Sequence, residues 1–322
     1  MTESQTSAVI VLGAAGFIGR HVASELARQG CRVLGLGHGS WVEADWRKWG
    51  LSNWLEADIS FDALDRLADG EVPKCIVHCG GSGAVAYSYA NPLSDFRSGT
   101  QSTAEALEWI RQNGADTCRL VLVSSAAVYG DQGDFDSTEN SARSPISPYG
   151  VHKMVAEMLC ESYSRFFGVR SSIVRLFSVY GEGLHKQLLW DAVNKFRCGK
   201  NQFFGTGTEL RDWIHVEDAA TLLSLAGLTC QSAFEVYNGG AKQATTRDVL
   251  ERLSQAYYGY DHAIIFNNEI HKGNPRRLTS DFSHTSRLLM WTPEVSLEDG
   301  LDRYASWFHA LSDGVGTQGG DL

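Results

Sequence analysis

Short apolar runs alternate with amphipathic segments through the first half of the chain. The apolar runs cover residues 8–12, 31–36, 75–79 and 120–125. Helical patterns fall between them, near 17–29 and 98–113. Continuous apolar strands separated by helices are typical of a parallel sheet buried on both faces. The pattern therefore predicts an α/β fold with a doubly wound parallel sheet, whose functional groups lie at the carboxyl ends of the strands.

The regular alternation ends after the apolar run at 172–177, where glycine-rich loop signals become frequent. We predict a first domain over 1–176 and a smaller, interleaved C-terminal domain mainly over 177–312. A helical pattern followed by an apolar run near 213–240 resembles a further helix and strand that return to the first sheet. The glycine-rich end, 313–322, is expected to be disordered.

Charge and composition exclude several classes of partner. The 322 residues carry a formal net charge of -10 and a sequence pI of about 5.5. Such a field repels polyanions, so no nucleic-acid partner is expected. No run approaches the roughly 18 apolar residues of a membrane span, and the polar N-terminus lacks the plan of a signal peptide. We expect a cytoplasmic protein that binds no membrane, with seven reduced cysteines and no metal site.

Three glycines with the spacing GxxGxxG follow the first apolar run. Gly13, Gly16 and Gly19 lie where this strand gives way to a helix that opens with Phe17 and Ile18. Glycines let the turn close and the backbone approach a pyrophosphate, whose charge is stabilised at the amino-terminal end of the helix. Because the glycines belong to a complete βαβ unit, the sequence predicts a dinucleotide site built by these five residues.

The end of the second strand carries no acidic residue. A carboxylate is usual there and binds the ribose hydroxyls of NAD, but this chain has Gly37 followed by His38. Small residues without negative charge leave room for the 2′-phosphate of NADP, whereas the absence of an arginine directly after the strand is compatible with NAD. The cofactor is predicted to be NAD or NADP, with Gly37 and His38 beside its ribose.

A tyrosine and a lysine four positions apart lie near the start of a predicted helix. Ser147 suits the N-cap and Pro148 the first turn, so Tyr149 and Lys153 share one helical face. A free tyrosine has a pKa near 10, too high for a base at neutral pH. The ammonium and an oxidised nicotinamide are expected to lower that pKa. Ser125, at the end of an apolar strand, is expected to orient the substrate oxygen toward Tyr149.

These features resemble the extended short-chain dehydrogenase/reductase family, whose members carry GxxGxxG, a Ser or Thr at a strand end, and YxxxK. Further matches are SAAVYG at 125–130, VRLFSVYG at 174–181, and GTG at 205–207 followed by RDWIHVED at 211–218. The resemblance covers residues 8–305. It implies a Rossmann NAD(P)-binding domain over 1–176, a nucleotide-sugar substrate, an adenine contact at Asp58 and Ile59, and a homodimer.

The residues after Ser125 bear on the reaction. In such enzymes the ionised tyrosine removes a sugar hydroxyl proton while hydride passes to the nicotinamide. Relatives that then eliminate water carry an acidic pair where this chain has Ala126 and Ala127, which cannot move a proton. The leading interpretation is an NDP-sugar 4-epimerase acting through a 4-keto sugar. The alternatives are an NADP-dependent reductase or dehydrogenase of a keto sugar nucleotide, and a non-catalytic nucleotide sensor on the same fold.

Substrate contacts are predicted from the same resemblance. We expect Arg211, and Arg276 or Arg277, on the diphosphate, because a guanidinium matches phosphate geometry and relatives use arginines in these regions. Two positions depart from the family: the asparagine before one helix is replaced near Gly99, and the asparagine of RxFNVYG is Ser178. Both positions normally lie close to the substrate, so we expect the sugar to sit differently or to bear an unusual substituent.

Overall fold

The first part of the chain folds around a seven-stranded parallel sheet. The structure is a computed structural model that describes residues 7–269 and 275–315. The strands are β1 (Ala8–Leu12), β2 (Arg32–Gly37), β3 (Leu51–Glu56), β4 (Cys75–His78), β5 (Arg119–Ser125), β6 (Arg170–Leu176), β7 (Ser178–Tyr180), β8 (Gln202–Phe203), β9 (Leu210–His215), β10 (Phe234–Gly239), β11 (Lys242–Thr245), β12 (Ile265–Phe266) and β13 (Arg277–Leu278). The order in the main sheet is β10-β6-β5-β4-β1-β2-β3, which confirms the predicted doubly wound α/β fold.

Helices connect the strands and cover the sheet. They are α1 (Phe17–Arg28), α2 (Glu43–Lys48), α3 (Phe61–Ala68), α4 (Val85–Ala90), α5 (Pro92–Phe96), α6 (Ser102–Asn113), α7 (Pro148–Phe167), α8 (Gln187–Arg197), α9 (Val216–Leu228), α10 (Thr246–Tyr258), α11 (Ser283–Leu289) and α12 (Leu297–Val315). A π-helical turn, Arg97–Gln101, joins α5 to α6, and a 3₁₀ turn, Ala126–Val128, follows β5.

The central strand β1 is buried on both faces, which explains its unbroken apolar sequence. Val9 and Val11 pack against α1 and α9 in one core cluster. Ile10 and Leu12 point to the opposite face and pack in a second cluster with α3, α6 and α7. Because successive side chains of a strand point to opposite faces, a strand between two helical layers needs apolar residues at every position.

A second region has its own core. Its apolar side chains come mainly from α8, α10 and α12. A small sheet with the order β11-β9-β13, in which β7 also pairs with β9, lies in this region, as does the pair β8 and β12. Two elements that follow β9 lie with the main sheet instead: α9 packs on α1, and β10 pairs with β6 in parallel. The division of the chain near residue 176 stays a prediction.

The apolar pattern did not predict β3, and it placed the start of the disordered C-terminal segment within α12. Leu51–Glu56 is an edge strand with mostly exposed or half-buried side chains, so it lacks a continuous apolar run. The segment predicted to be disordered, 313–322, overlaps α12 up to residue 315, and its remainder lies outside the described residues.

Candidate active site

The loop between β1 and α1 has the backbone shape that a pyrophosphate site requires. Gly13 has a φ of +74°, and a Cβ atom on Gly19 would lie 2.1 Å from the carbonyl oxygen of Gly13. Helix α1 begins at Phe17 directly after Gly16, and no side chain caps its first N–H groups. Ile18 packs into the sheet core. The loop can therefore present backbone N–H groups to an anion at close range, so these residues fit the predicted dinucleotide.

Gly37 is the buried last residue of β2, and a tryptophan lies beside it. A Cβ atom at Gly37 would approach both Gly13 Cα and Trp54 Cη2 at 3.3 Å. The ring of Trp54 contacts Trp41 edge-on, with the centroids 5.4 Å apart. The sequence predicted open space at this strand end. The structure corrects this, because the Trp54 indole from β3 occupies part of the space beside Gly37.

Polar groups surround the same strand end. The exposed side chain of His38 pairs with Asp58, Nε2 to Oδ1, at 2.9 Å. Ile59 packs toward the loop after β4, where a Cβ atom on Gly80 would lie 2.7 Å from its Cδ1 atom. The guanidinium of Arg20 lies 6.0 Å from the Trp41 ring centroid. Arg20, which the sequence did not single out, donates from α1 to the backbone carbonyl oxygens of Ala15 at 2.7 Å and Gly16 at 3.3 Å in the glycine loop.

Two serines end β5, and the structure distinguishes them. Ser124 is buried, and its hydroxyl donates to Oε1 of Glu157 at 2.6 Å in the core behind the strand. Ser125 is half-buried, accepts a hydrogen bond from the N–H of Ala127 at 3.2 Å, and is hydrogen-bonded to the side chain of Tyr149. The structure therefore places Ser125, the serine chosen from the sequence, next to the tyrosine.

Helix α7 begins as the sequence predicts. The hydroxyl of Ser147 accepts from the N–H of Gly150 at 3.2 Å, and Pro148 occupies the first turn. Tyr149 and Lys153 face the end of β5 together. The ammonium of Lys153 donates to the carbonyl oxygen of Val123 at 2.8 Å and lies 6.0 Å from the ring centroid of Tyr149. One helical face thus brings the two candidates to Ser125.

We expected Lys153 to lower the pKa of Tyr149, and this expectation is wrong for the protein without its cofactor. Burial raises the pKa of Tyr149 to about 12, the hydrogen bond from Ser125 lowers it, and the charge of Asp95 raises it further. The Lys153 ammonium is directed at a backbone carbonyl, and burial removes the water that a phenolate needs. The depression required for catalysis therefore falls to the positive charge of an oxidised nicotinamide.

A buried ionisable pair beside Tyr149 was missed by sequence reasoning. Oδ2 of Asp95 in α5 lies 2.6 Å from Nδ1 of His152 in α7, and Oδ1 accepts from the Ser82 hydroxyl at 2.5 Å. These three residues line a small cavity together with Gly81, Gly99, Tyr149 and Lys153. The sequence offered one signal for this pair: Gly99 lacks the side-chain amide of the family's asparagine. Asp95 lies one helical turn before Gly99 and shares its helical face, so it is placed to occupy the same side of the site.

The 3₁₀ turn after Ser125 has no proton-transfer group of its own. Ala126 is buried, and a Cβ atom on Gly150 would lie 2.5 Å from the carbonyl oxygen of Ala127. The turn thus packs directly against the start of α7. Neither alanine can serve as the acid or base that elimination of a C6 hydroxyl requires.

The predicted substrate residues lie in the second region, and each arginine has protein partners. Ser178 is half-buried in β7 and pairs with Trp213 of β9. The buried guanidinium of Arg211 donates to the carbonyl oxygens of Leu210 and Pro275, each at 2.7 Å. Arg211 therefore holds two backbone segments together. A role for Ser178 or Arg211 on the substrate stays a prediction.

Arg276 and Arg277 form ion pairs with a neighbouring loop. The exposed Arg276 lies 2.8 Å from Asp134, and Arg277 lies 2.5 Å from Asp136 and donates to Thr279 at 2.9 Å. Residues 270–274, directly before them, lie outside the described part of the chain. Within the described residues, no group of three or more His, Cys, Asp and Glu side chains has the arrangement of a metal site, and no helix is long and apolar enough to cross a bilayer.

Known proteins are similar to this chain over most of its length. The family model described as NAD dependent epimerase/dehydratase family matches residues 9–240. A UDP-glucuronate 4-epimerase from Thermodesulfobacterium geofontis is 28% identical over 317 residues, covering 92% of this chain and 95% of its own. A UDP-glucose 4-epimerase from Azospirillum brasilense is 30% identical over 350 residues, covering 99% and 97%.

A solved structure agrees with this assignment. The UDP-glucuronic acid 4-epimerase from Bacillus cereus, in complex with UDP-glucuronic acid and NAD, has a TM-score of 0.84 and 26% identity, covering 94% of this chain and 99% of its own. The same family assignment follows from the glycine loop, from the pair of Tyr149 and Lys153, and from these matches. The chain belongs to the NAD dependent epimerase/dehydratase family, a group of enzymes of the extended short-chain dehydrogenase/reductase type.

Proposed function

We propose that the protein is an NDP-sugar 4-epimerase that acts through a transient 4-keto sugar. The observation that carries the proposal is the meeting of Ser125, Tyr149 and Lys153 at the end of β5, followed by two alanines in place of an acidic pair. Relatives that match almost the whole chain bear the names UDP-glucuronate 4-epimerase and UDP-glucose 4-epimerase. A UDP-hexose is therefore the first substrate class to test.

Each catalytic side chain has one role in this proposal. Ser125 hydrogen-bonds the C4 oxygen and holds it next to Tyr149. The phenolate of Tyr149 removes the C4 hydroxyl proton and later returns it to the same oxygen. Lys153, held on the carbonyl of Val123, binds the cofactor ribose. The nicotinamide, when bound, supplies the hydride acceptor and donor.

The diphosphate of the substrate is assigned to Arg276 and Arg277 in the same proposal. Exposed ion pairs such as Arg276 with Asp134 contribute little free energy, so the guanidinium can exchange its carboxylate for a phosphate. Arg211 instead holds the backbone from which these two arginines project. We assign it to the diphosphate site as a supporting residue.

The deciding experiment follows the sugar and the cofactor together. Purified protein is incubated with UDP-glucose, UDP-galactose, UDP-glucuronate or UDP-galacturonate, and the products are separated by chromatography and identified by NMR. We expect interconversion of one C4 epimer pair with no net change in reduced nicotinamide absorbance. Stoichiometric consumption of NADPH or NADH by a keto sugar nucleotide would contradict the epimerase proposal.

The second candidate is an NADP-dependent reductase of a keto sugar nucleotide. Two observations favour it: the lack of a carboxylate at Gly37, and the raised pKa of Tyr149, which keeps the phenol protonated and ready to donate to a carbonyl. The same incubation separates the two reactions, because only the reductase changes the amount of reduced nicotinamide. Full biological activity of a Tyr149→Phe variant would instead favour the non-catalytic sensor.

For the cofactor, we propose that the chain binds NADP as well as NAD. Gly37 itself has no carboxylate to repel a 2′-phosphate, and His38 can exchange its contact with the exposed Asp58 carboxylate for that phosphate. The Bacillus cereus relative was solved with NAD. Calorimetric titration of cofactor-free protein with each dinucleotide tests the proposal, and an NADP affinity more than about a hundredfold below that of NAD would contradict it.

For the assembly, we propose a homodimer formed through α7 and its neighbours. Helices α4, α5 and α7 pack against each other and leave four apolar or aromatic side chains exposed: Tyr89, Leu93, Val151 and Met158. Val151 and Met158 are seven residues apart and therefore lie on the same side of α7. Light scattering should give twice the chain mass, and Met158→Glu should yield a monomer. A monomeric wild-type protein at micromolar concentration would contradict the proposal.

A further inference from the structure

The pair of Asp95 and His152 joins the catalytic cavity to the protein surface. We propose that this pair is a proton relay that exchanges the proton of Tyr149 with solvent. The proposal rests on the function above, since it takes Tyr149 to be the group that gains and loses a proton.

The contacts of Asp95 make it suitable for passing a proton. Its side chain is 3% exposed, and its two oxygens have different partners. Oδ1 accepts from the hydroxyl of Ser82 at 2.5 Å, and Oδ2 lies 2.6 Å from Nδ1 of His152. A buried carboxylate fixed by two short hydrogen bonds has one defined orientation. Asp95 is therefore a preorganised proton acceptor between the cavity and the imidazole of His152.

The cavity connects this carboxylate with the catalytic side chains. It has a volume of about 10 Å³ and is lined by Asp95, His152, Tyr149 and Lys153, with Ser82 and two glycines completing the wall. A cavity of this size holds about one water molecule when polar partners are present. Gly99 contributes no side chain, and glycine at 81 leaves space near the Lys153 ammonium. A single water can thus link the Tyr149 hydroxyl to Asp95.

His152 provides the link to solvent. Its side chain is 18% exposed, in contrast to Asp95. Its backbone carbonyl accepts from Thr100 Oγ1 at 2.9 Å, and its ring lies edge-on to Phe96 with the centroids 5.7 Å apart. The π-helical turn therefore fixes the backbone of His152 through Thr100, and α5 positions the imidazole through Asp95 and Phe96. Imidazole is the side chain best suited to accept and release protons near neutral pH.

The surrounding charges determine how a proton on the relay is stabilised. The ionisable groups on the elements packed around the cavity are Tyr149, Lys153 and Glu157 of α7, His78 and Cys79 at the end of β4, and Lys186, which donates to the carbonyl of Ser82. Among these six, Tyr149 and Lys153 line the cavity itself. Burial lowers the pKa of His78 to about 3, so it is neutral during turnover. Burial lowers the pKa of Lys153 below its ordinary value, and the charge of Asp95 offsets part of this lowering.

The relay is needed because Tyr149 rests in its protonated form. Burial raises its pKa to about 12, so the phenol must lose a proton before it can act as a base. In the outward direction the Tyr149 O–H bond breaks and its proton passes to the cavity water. The water passes a proton to Asp95. In the tautomer of His152 whose proton is on Nε2, the carboxyl proton of Asp95 passes to Nδ1, and Nε2 then releases its proton to solvent. No electrons are exchanged, and His152 ends with its proton on Nδ1.

A pH jump tests the relay without any sugar. The purified full-length protein is mixed rapidly with alkaline buffer, and formation of tyrosinate is followed by its ultraviolet absorbance. Subtracting the trace of Tyr149→Phe isolates the signal of Tyr149 from the other tyrosines. We expect His152→Gln and Asp95→Asn to slow the Tyr149 phase at least about tenfold while its amplitude persists. Both changes are close in shape, so either variant decides the question if the other fails to fold.

The chain offers a matched control and a chemical rescue. Glu235 and His284 form a second histidine–carboxylate pair, 3.2 Å apart and remote in the fold from α5, so Glu235→Gln should leave the Tyr149 rate unchanged. In His152→Ala, added imidazole should restore the rate in proportion to its concentration. Substituted imidazoles should restore it in the order of their basicity. A purely structural role of His152 would not produce that order.

The outcomes separate the relay from the proposed function. Wild-type Tyr149 rates in both His152→Gln and Asp95→Asn would overturn the relay, as would a loss of amplitude without a change of rate, or the absence of any Tyr149 phase. Slow phases in the variants, combined with no turnover of any NDP-sugar by the wild type, would support the relay and overturn the epimerase. Slow phases together with C4 interconversion support both.

Discussion

Two regions lie along the same carboxyl edge of the sheet: the catalytic corner, formed by Ser125, Tyr149 and Lys153, and the second-strand end, formed by Gly37 and His38. They differ in how closely they keep the family pattern. At the catalytic corner, Ser125, Tyr149 and Lys153 match the family pattern, and α7 is anchored by a buried ion pair between Glu157 and Arg175 at 2.8 Å. At the second-strand end the expected carboxylate is missing at Gly37. There, Trp54 of a different strand occupies the adjacent space.

The difference shows which parts of the site can be transferred from the family. The catalytic corner depends on the spacing of residues along one helix and one strand, and this spacing can be read from the sequence. The second-strand end depends on side chains that arrive from other segments, and the same is true of Asp95, which lies one turn from the substituted Gly99. The chemistry of the first step is therefore better defined than the identity of the cofactor or the sugar.

The largest effect is expected at the catalytic corner. Tyr149→Phe removes the only phenol hydroxyl placed next to Ser125 within the described residues. Turnover should fall by about a thousandfold, because proton transfer by a positioned group contributes on the order of 10² to 10⁴. Steady-state assays of C4 interconversion measure the loss. Tyr163→Phe on the same helix is the matched control, since its hydroxyl contacts Glu108 on α6.

The second prediction concerns the anchor of the catalytic corner. Glu157→Gln leaves the buried guanidinium of Arg175 without its counter-charge and weakens the hydrogen bond from Ser124. The free energy of unfolding should fall by about 3 kcal/mol, as is usual when one partner of a buried ion pair is removed. Denaturant titration measures the change.

A surface pair provides the comparison for this loss. Glu43→Gln breaks the exposed contact of Glu43 with Arg47 and should cost less than about 1 kcal/mol. Equal losses in Glu157→Gln and Glu43→Gln would show that the buried network does not stabilise the catalytic corner more than an ordinary surface pair.

The third prediction addresses the second-strand end. Gly37→Asp restores a carboxylate, which should repel the 2′-phosphate and lower the affinity for NADP by about tenfold, with little effect on NAD. Calorimetric titration measures both affinities. Gly37→Ala is the control, because its Cβ atom alone meets Gly13 and Trp54 at 3.3 Å. An equal loss for both cofactors in both variants would assign the effect to this crowding and not to charge.

Much of the fold followed from sequence because β1, β4 and β5 are buried on both faces and β2 almost as fully, so their residues are nearly all apolar. The glycine loop and the start of α7 were equally readable, since turn geometry and capping act over a few residues. The contact of Trp54 with Gly37 and the pairing of Asp95 with His152 join distant segments. No local pattern encodes such contacts, and the raised pKa of Tyr149 depends on its burial in the folded chain.

The smallest expected effect is a displacement of the pH profile of the catalytic corner along the pH axis. Because the pKa of Tyr149 is raised, its active phenolate is the minor form at neutral pH and increases about tenfold per pH unit until the pKa in the bound enzyme is reached. The kcat/KM for C4 interconversion should therefore rise between about pH 6 and pH 8. Ser125→Ala removes the hydrogen bond that lowers this pKa, so the rise should move to higher pH. A flat profile for the wild type, unchanged in Ser125→Ala, would mean that proton removal by Tyr149 does not limit the reaction, and the contrast between the two ends of the sheet edge would then rest on geometry alone.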